Sequence, residues 1–453
     1  MKFTLDELIK ITNGKLIENE SSQLSAKSHQ LKASSIVTDS RLIKKGDLFV
    51  ALSGRLFDVV PGSSHDGHDF LKEALENGAS GALVSYSRNS QKDKLIQSKF
   101  KFVIQVKDTL DAYQAIARFW REKFDIPVIA ITGSNGKTTT KNMVTSVVSK
   151  KYRVLSSAGG VNNQVGVPAT LLRLNENHQV AVLEVGTNRP GEIKILNHLI
   201  KPTIAIITNI GPVHLEQLGT LLGVAKEKAQ ILNGVDYAIL NQDDDFFDYL
   251  KSRVKIFPRC RTSGETSGLQ KNTQVLSFGS EDFYDQNRKV AQRVGEILGI
   301  SQELINQGLE SYEHPKMRME EIKKESFTII NDAYNANPVS MQYALKIFSR
   351  CPCSGYRITI LGDMLELGSQ SKKYHDLIGN NLPTGIDVLI TVGDQARYIA
   401  EAAKKSNRVK TVAIFKNNKL ASSFLGKIVK KGDLVLLKAS RGMKFEEILD
   451  NFK

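Results

Sequence analysis

The sequence predicts an α/β protein of three domains. These are a small mixed α/β amino-terminal domain (1–110), a central phosphate-loop ATPase domain on a parallel sheet (111–314) and a carboxyl-terminal Rossmann-like domain (315–453). Three observations predict it. A chain of 453 residues exceeds what one core supports. Two separate series of near-continuous Val/Ile/Leu/Ala runs read as strands buried on both faces, the pattern of parallel sheets covered by helices. A glycine loop directly follows the first of those runs.

Up to residue 110, short strand patterns ("SSIVTDS", "DLFVAL", "GALVSY", "KFVIQV") surround a helix near 69–78, a small mixed unit. "TLDAYQAIARFWREKF" has helical spacing and leads into Pro127, which suits a boundary between 108 and 126. From 127 the runs "VIAITG", "VAVLEVG", "TIAIITNIG" and "DYAILN" alternate with helices. After 315 a second series follows: "FTIIND", "RITILGD", "DVLITVGD", "TVAIF" and "DLVLLKAS". Residues 260–274, "CRTSGETSGLQKNTQ", read as a polar loop, and no repeat of fixed period is present.

With 41% hydrophobic and 24% charged residues, the composition is that of an ordinary globular protein. "MKFTLDELIK" has no apolar signal region and no run approaches the ~20 apolar residues of a membrane span, so a cytoplasmic address without membrane association is expected. Cys260, Cys351 and Cys353 are too few for a disulfide framework or a four-cysteine zinc site and read as packing or surface thiols. The net charge of +14 suits a polyanion or small anionic substrates. Its lysines are scattered as pairs without interleaved aromatics, so no nucleic-acid partner is expected; a monomer is the expected state.

"IAITGSNGKTTTKNMV" (129–144) carries the first chemistry. The general phosphate-loop pattern would need glycine where Ile131 stands, leaving a shortened loop of Gly133, Ser134, Asn135, Gly136, Lys137 and Thr138, with Thr139 next. It joins a buried strand to a helix whose Met143, Val144, Val147 and Val148 share one face. Free amides and the positive dipole end at a helix start favour polyphosphate. Gly133 and Gly136 permit the tight backbone, Lys137 reaches terminal phosphates and Thr138 offers a hydroxyl to Mg²⁺. Ligands of open α/β sheets bind beyond the carboxyl ends of strands, where "VAVLEVG" puts Glu184 and "AIITNIGPVH" puts His214. A carboxylate at the end of a buried strand is costly unless something uses it, and Mg²⁺ is the obvious user. His214 alone reads as a loop histidine; beside Glu184 and a phosphate loop it reads as a site residue.

"TGSNGKTTT", "LEVGTNRPGEI", "NIGPVHLEQLGT" with "AKEKAQI", and "DAYNANPVSM" with "LGDMLELG" together resemble the ATP-dependent Mur ligases of peptidoglycan synthesis. The last two stretches are most similar to the member that adds D-alanyl-D-alanine, and the shortened loop is this family's form. "TDSRLIKKGDLFVALSG" and "DGHDFLKEALENGA" also resemble the family's amino-terminal domain, which holds the UDP end of the substrate, so the resemblance covers nearly the whole chain. Two departures stand out: extra residues "VVPGSS" between "ALSGRLFD" and "HDGHDF", and Ala439 where glycine is expected in "KASRGM".

The resemblance implies that ATP phosphorylates the terminal carboxylate of UDP-MurNAc-tripeptide and that the amine of D-alanyl-D-alanine attacks the acyl phosphate. Lys137, with Mg²⁺ on Thr138, Glu184 and His214, would offset the charge of the transferred phosphoryl group. Arg318 and Asp332 match nucleotide-closing positions, with Asp332 on the ribose, and a swing of the third domain would carry them to the site. Asn241 is a candidate beside adenine. Asn335 and Asn337 match a motif distinctive of the ligase and would touch nucleotide or dipeptide; an Asx turn before Pro338 explains them equally. Ser40 and Arg41, then Asp66 and His68, are candidate uridine or diphosphate contacts. Asn162 and Asn163 fall at central-site positions, where loop capping is the other reading. Lys228 matches a lysine carbamylated in several Mur ligases, which would turn a cation into a Mg²⁺ ligand; spacing alone places it on a solvated helix face, with Lys226 the alternative. Two further readings are a folate polyglutamylating ligase, opposed by "DAYNANPVSM" and "TDSR", and a nucleic-acid-dependent ATPase, opposed by the shortened loop. A non-catalytic scaffold would not need Lys137, Glu184 and His214 together.

Overall fold

Along the strand Val128–Thr132, successive side chains point to opposite faces, and both faces are covered. Val128 and Ala130 enter one apolar cluster; Ile129 and Ile131 enter another. The computed structural model describes residues 3–17, 32–52, 66–88, 96–254 and 273–452. It puts this strand inside a six-stranded sheet ordered Gln274–Phe278, Tyr237–Asn241, Ile204–Ile207, Val128–Thr132, Val180–Glu184, Val154–Ser156. All its pairings are parallel. Glu184 pairs with Ile131 and Ile207 with Thr132, so three strands end together and release their loops at one edge. The outermost strands, Val154–Ser156 and Gln274–Phe278, have no run of buried side chains and are the ones the apolar pattern missed.

A second six-stranded sheet runs Glu320–Lys323, Thr328–Asn331, Leu434–Lys438, Arg357–Gly362, Val388–Val392, Thr411–Phe415. Only Glu320–Lys323 is antiparallel to its neighbour. That strand, "EEIK", half faces water and so carries no apolar run. The amino-terminal sheet has five strands: Lys15–Ile17, Phe102–Val106, Gly81–Ser85, Leu48–Val50 and Ile36–Val37. A short antiparallel pair, Phe3–Thr4 with Lys32–Ala33, stands apart from it.

The helix Thr109–Glu122 starts where Asp108 accepts the amides of Leu110 and Asp111, at 2.8 and 3.0 Å. Its Leu110, Tyr113, Ile116 and Ala117 join a cluster that also holds Leu83 and Ile104 of the first sheet and Ala130 and Leu183 of the central one. The stretch where a boundary is expected is tightly packed, because this helix buries side chains against both sheets. At the other side, Val213, Leu215, Leu218 and Val224 sit in one cluster with Met341, Met364 and Leu367 of the third unit.

Cys351 and Cys353 are free and half-buried. Cys260, "VVPGSS" and residues 260–272 of the polar loop lie outside the described residues. Among the described residues no helix is long and apolar enough to cross a membrane.

Candidate active site

Gly133 has φ +148°, and a Cβ there would lie 1.8 Å from Thr208 Oγ1, so only glycine fits. Gly136, at φ +78°, turns the chain into the helix Lys137–Val148. The loop is pinned to 208–211: Ser134 Oγ accepts the Gly211 amide at 2.8 Å, and Asn209 Oδ1 accepts that of Asn135 at 2.9 Å. Lys137 Nζ bends back to donate to the carbonyls of Gly133 (2.8 Å) and Ser134 (3.3 Å). Burial pushes its pKa down, which Glu184 opposes and Arg318 reinforces.

Glu184 is 2% exposed and satisfied by neutral donors. Thr138 Oγ1 donates to Oε2 and Asn162 Nδ2 to Oε1, both at 2.7 Å. Asn162 and Asn163 part company here, since Asn163 Oδ1 accepts the amides of Val165 and Gly166 (3.1 and 2.8 Å) as a loop cap. His214 adopts a left-handed backbone, φ +52°, and its Nδ1 lies 2.5 Å from Glu366 Oε2. The His214 ring holds the Glu366 carboxyl below the usual carboxylate range. Lys228, 1% exposed, ends the helix Leu221–Lys228, whereas Lys226 is exposed. This overturns the reading of Lys228 as a solvated residue. Burial first, then the charge of Lys137, push its pKa well below the lysine range.

From the third unit, Arg318 Nη2 donates to Thr138 Oγ1 at 2.9 Å, and its guanidinium lies 4.2 Å from the Tyr334 ring centre. Asn337 caps the helix Pro338–Phe348, as the turn reading expects, and also donates to Asn135 Oδ1 of the phosphate loop at 2.6 Å. Asn335 Oδ1 accepts the amide of Ala336. Asp332 accepts from Lys438 Nζ at 2.5 Å and from the Met319 amide at 3.2 Å. Between the two units lies a cavity of about 690 Å³. Lys137, Glu184, His214, Arg318, Asp332 and Asn337 all line it.

Two family profiles match the chain: Mur ligase middle domain over residues 131–294, and Mur ligase, glutamate ligase domain over 317–441. The UDP-N-acetylmuramoyl-tripeptide–D-alanyl-D-alanine ligase of Bacillus subtilis (strain 168) is 34% identical over 439 residues, 91% of this chain and 92% of that protein. The chain belongs to the Mur ligase family. The fold of this Mur ligase is similar to that of MurF from Acinetobacter baumannii, with TM-score 0.83 and 27% identity over 100% of this chain and 99% of that one. MurF ligase from Thermotoga maritima, solved in complex with ADP, matches with TM-score 0.74 and 26% identity over 92% and 96%.

Several candidates stand apart from the cavity of this Mur ligase. Asn241 does not line it; its Oδ1 accepts the Asp243 amide at 3.1 Å beyond the strand Tyr237–Asn241. Ser40 donates to Glu73 at 2.9 Å, and the exposed Arg41 pairs with Asp39. Asp66 contacts His68 Nδ1 at 2.7 Å, and His68 Nε2 accepts the Ser85 amide at 2.9 Å, which leaves the ring proton on Nδ1. These first-domain contacts are local caps and pairs.

Other lining residues escaped the sequence reading. Lys438, 2% exposed, had a signal: a lysine closing the apolar run "LVLL". Tyr284 and His314 stack with centroids 5.4 Å apart and planes at 22°, forming an aromatic wall with Phe283. Their signal was absent, because ordinary helix and loop positions give no motif.

Among the described residues, no cluster of three or more His, Cys, Asp and Glu is placed to hold a metal. The donor chemistry of Thr138 and Glu184 nevertheless fits a hard cation: a hydroxyl and a carboxylate oxygen 2.7 Å apart on the cavity wall. His214, with Nδ1 turned to Glu366, keeps Nε2 free of that contact. Lys228 fits only as a carbamate, since an ammonium has no lone pair to offer.

Proposed function

We propose that this Mur ligase joins D-alanyl-D-alanine to UDP-N-acetylmuramoyl-tripeptide, with ATP converted to ADP and phosphate. A carboxylate oxygen of the tripeptide attacks the γ-phosphorus and ADP leaves. The dipeptide amine then attacks the acyl carbon, phosphate leaves and the nitrogen gives up a proton. ATP as co-substrate places the reaction in the cytoplasm. The observation that carries this reading is the gathering of Lys137, Thr138 and Glu184 from one unit with Arg318 and Asp332 from another around a single cavity. Relatives named for this reaction, matching along nearly their full length, support it over the folate ligase and nucleic-acid ATPase readings.

In this reading Lys137 leaves the carbonyls of Gly133 and Ser134 for the transferred phosphoryl group, and Arg318 neutralises charge on the same anion. Asp332 takes the ribose, and Tyr284, Phe283 and His314 offer the base an apolar wall. Asn337 holds the third unit against the phosphate loop, and Asn335 and Asn337, both on the cavity wall, are assigned to nucleotide or dipeptide. Thr138 and Glu184, with His214 and a carbamylated Lys228, would hold Mg²⁺, which supplies positive charge to the phosphates. Asn162 orients Glu184. Ser40, Arg41, Asp66 and His68 remain assigned to the region receiving the uridine end. The test is phosphate release from ATP with defined muropeptides. Release should require both the UDP-tripeptide and D-alanyl-D-alanine; equal release stimulated by DNA, with neither present, overturns the proposal.

A further inference from the structure

His214 is held from outside its own sheet. It follows the strand Ile204–Ile207 of the central sheet, yet Val213 and Leu215 on either side of it, with Leu218 and Val224, pack in the apolar cluster of the third unit. The third unit also reaches back to it. Glu366 Oε2 lies 2.5 Å from His214 Nδ1, at ion-pair distance but off the line of the ring N–H, and Nδ1 is buried with no hydrogen-bond partner among the described residues; the Glu216 amide donates to the Glu366 carbonyl at 3.3 Å. Gly368, at φ +54°, comes so close that a Cβ would sit 3.1 Å from Glu216 Cα. Both His214 (φ +52°) and Glu366 (φ +64°) hold the left-handed backbone that non-glycine residues rarely adopt, so the surrounding structure imposes the pairing.

The loop that presents Glu366 is itself anchored on each side. Asp363 Oδ1 accepts the amides of Gln395 and Ala396 at 3.0 and 2.6 Å. The Met364 amide donates to His375 Nε2 at 3.0 Å, and that of Leu365 to Ser440 Oγ at 2.9 Å. Such anchoring exceeds what a solvent loop needs and suits one that must deliver a side chain to a fixed place. Glu366 does not line the cavity, whereas His214 does.

We propose that Glu366 is the positioning residue for His214, accepting its Nδ1 proton so that Nε2 presents a lone pair to the cavity. The third unit thereby supplies the central unit with a competent histidine. A carboxylate behind an imidazole fixes its tautomer and ring orientation in this way. The proposal rests on the ligase reading for what His214 is used for, but not for the pairing itself.

The test uses the full-length protein with ¹⁵N-labelled histidine and no nucleotide, the His214 signal being assigned by its loss in His214→Asn. The wild-type ring should carry its proton on Nδ1. Glu366→Ala should move it toward the Nε2–H form that free imidazole favours, and Glu366→Gln, whose amide oxygen still accepts, should retain the wild-type form. In ligation, Glu366→Ala should lose ~10–100-fold in kcat with little change in the KM for D-alanyl-D-alanine, and Glu366→Gln should recover part of it. Glu366→Met, close in length but without an oxygen acceptor, should move the proton as alanine does and decides the pairing if the alanine variant does not fold. A His214 signal that is the same in wild type and Glu366→Ala overturns the proposal, as does wild-type turnover in that variant. If wild-type protein makes no ligated product, the ligase reading fails instead, while the ring signal still decides the pairing.

Discussion

The ends of the two six-stranded sheets face each other across the cavity, but their buried charges are handled in opposite ways. At the end of the third sheet, Lys438 meets Asp332 at 2.5 Å, a closed pair. At the central end the charges stay apart. Lys137 donates only to backbone carbonyls, Glu184 is satisfied by Thr138 and Asn162, and among the described residues Lys228 has no carboxylate at ion-pair distance. A buried cation without a counter-charge costs stability unless an anion arrives. The central end is thus arranged to receive charge, and the third end to keep one shape.

The closed pair at the third end depends on Asp332. Replacing it with Ala strands the Lys438 ammonium and should cost ~3–5 kcal/mol of stability by urea unfolding. A loss near zero would mean that the third end is not closed. Lys137→Ala should show the reverse balance, with kcat down by ~10²–10³-fold and a melting temperature close to wild type. Normal turnover in the folded variant would remove the phosphate-loop assignment.

Lys228→Met sharpens the contrast, because it should abolish ligation yet raise stability on the order of 1 kcal/mol in CO₂-free buffer at neutral pH. The sign follows from the depressed folded pKa of Lys228. Below that value the buried ammonium costs stability, and the cost fades as pH rises through it toward the unfolded lysine range. Wild-type urea midpoints should therefore climb across that window and those of Lys228→Met should climb less, with Lys137 providing a residual slope in the same sense. Parallel curves would show that Lys228 is not a buried cation.

The smallest effect separates two neighbours. Asn163→Ala loses a loop cap worth ~1 kcal/mol and should ligate nearly normally, whereas Asn162→Ala removes a donor from Glu184 and should lower kcat. Equal kinetics for the two variants would dissolve the distinction.

How far the sequence could be read follows from the range of each interaction. Strands such as Val128–Thr132 announce themselves because both faces are buried and every residue is apolar, while Glu320–Lys323 has a wet face and stays silent. The phosphate loop was legible because its chemistry is local: the glycines, the lysine and the helix start fall within six residues, 133–138. Lys228 was half legible, since its motif placed it near the site but its spacing pointed to solvent. Asn241, the candidate beside adenine, is the last residue of its strand, and its oxygen closes the turn that follows.

By itself, then, the sequence determined the two parallel sheets, the shortened loop and the family resemblance, all written in stretches where neighbours in sequence are neighbours in space. Only the tertiary structure decided which distant groups meet. Arg318 reaches Thr138 across 180 residues, Asn337 reaches Asn135 across 202, and Lys438 reaches Asp332 across 106. Glu366 finds His214 across 366 − 214 = 152. No periodicity encodes such contacts, because they depend on strand order and on how one sheet's helices and loops pack against the next.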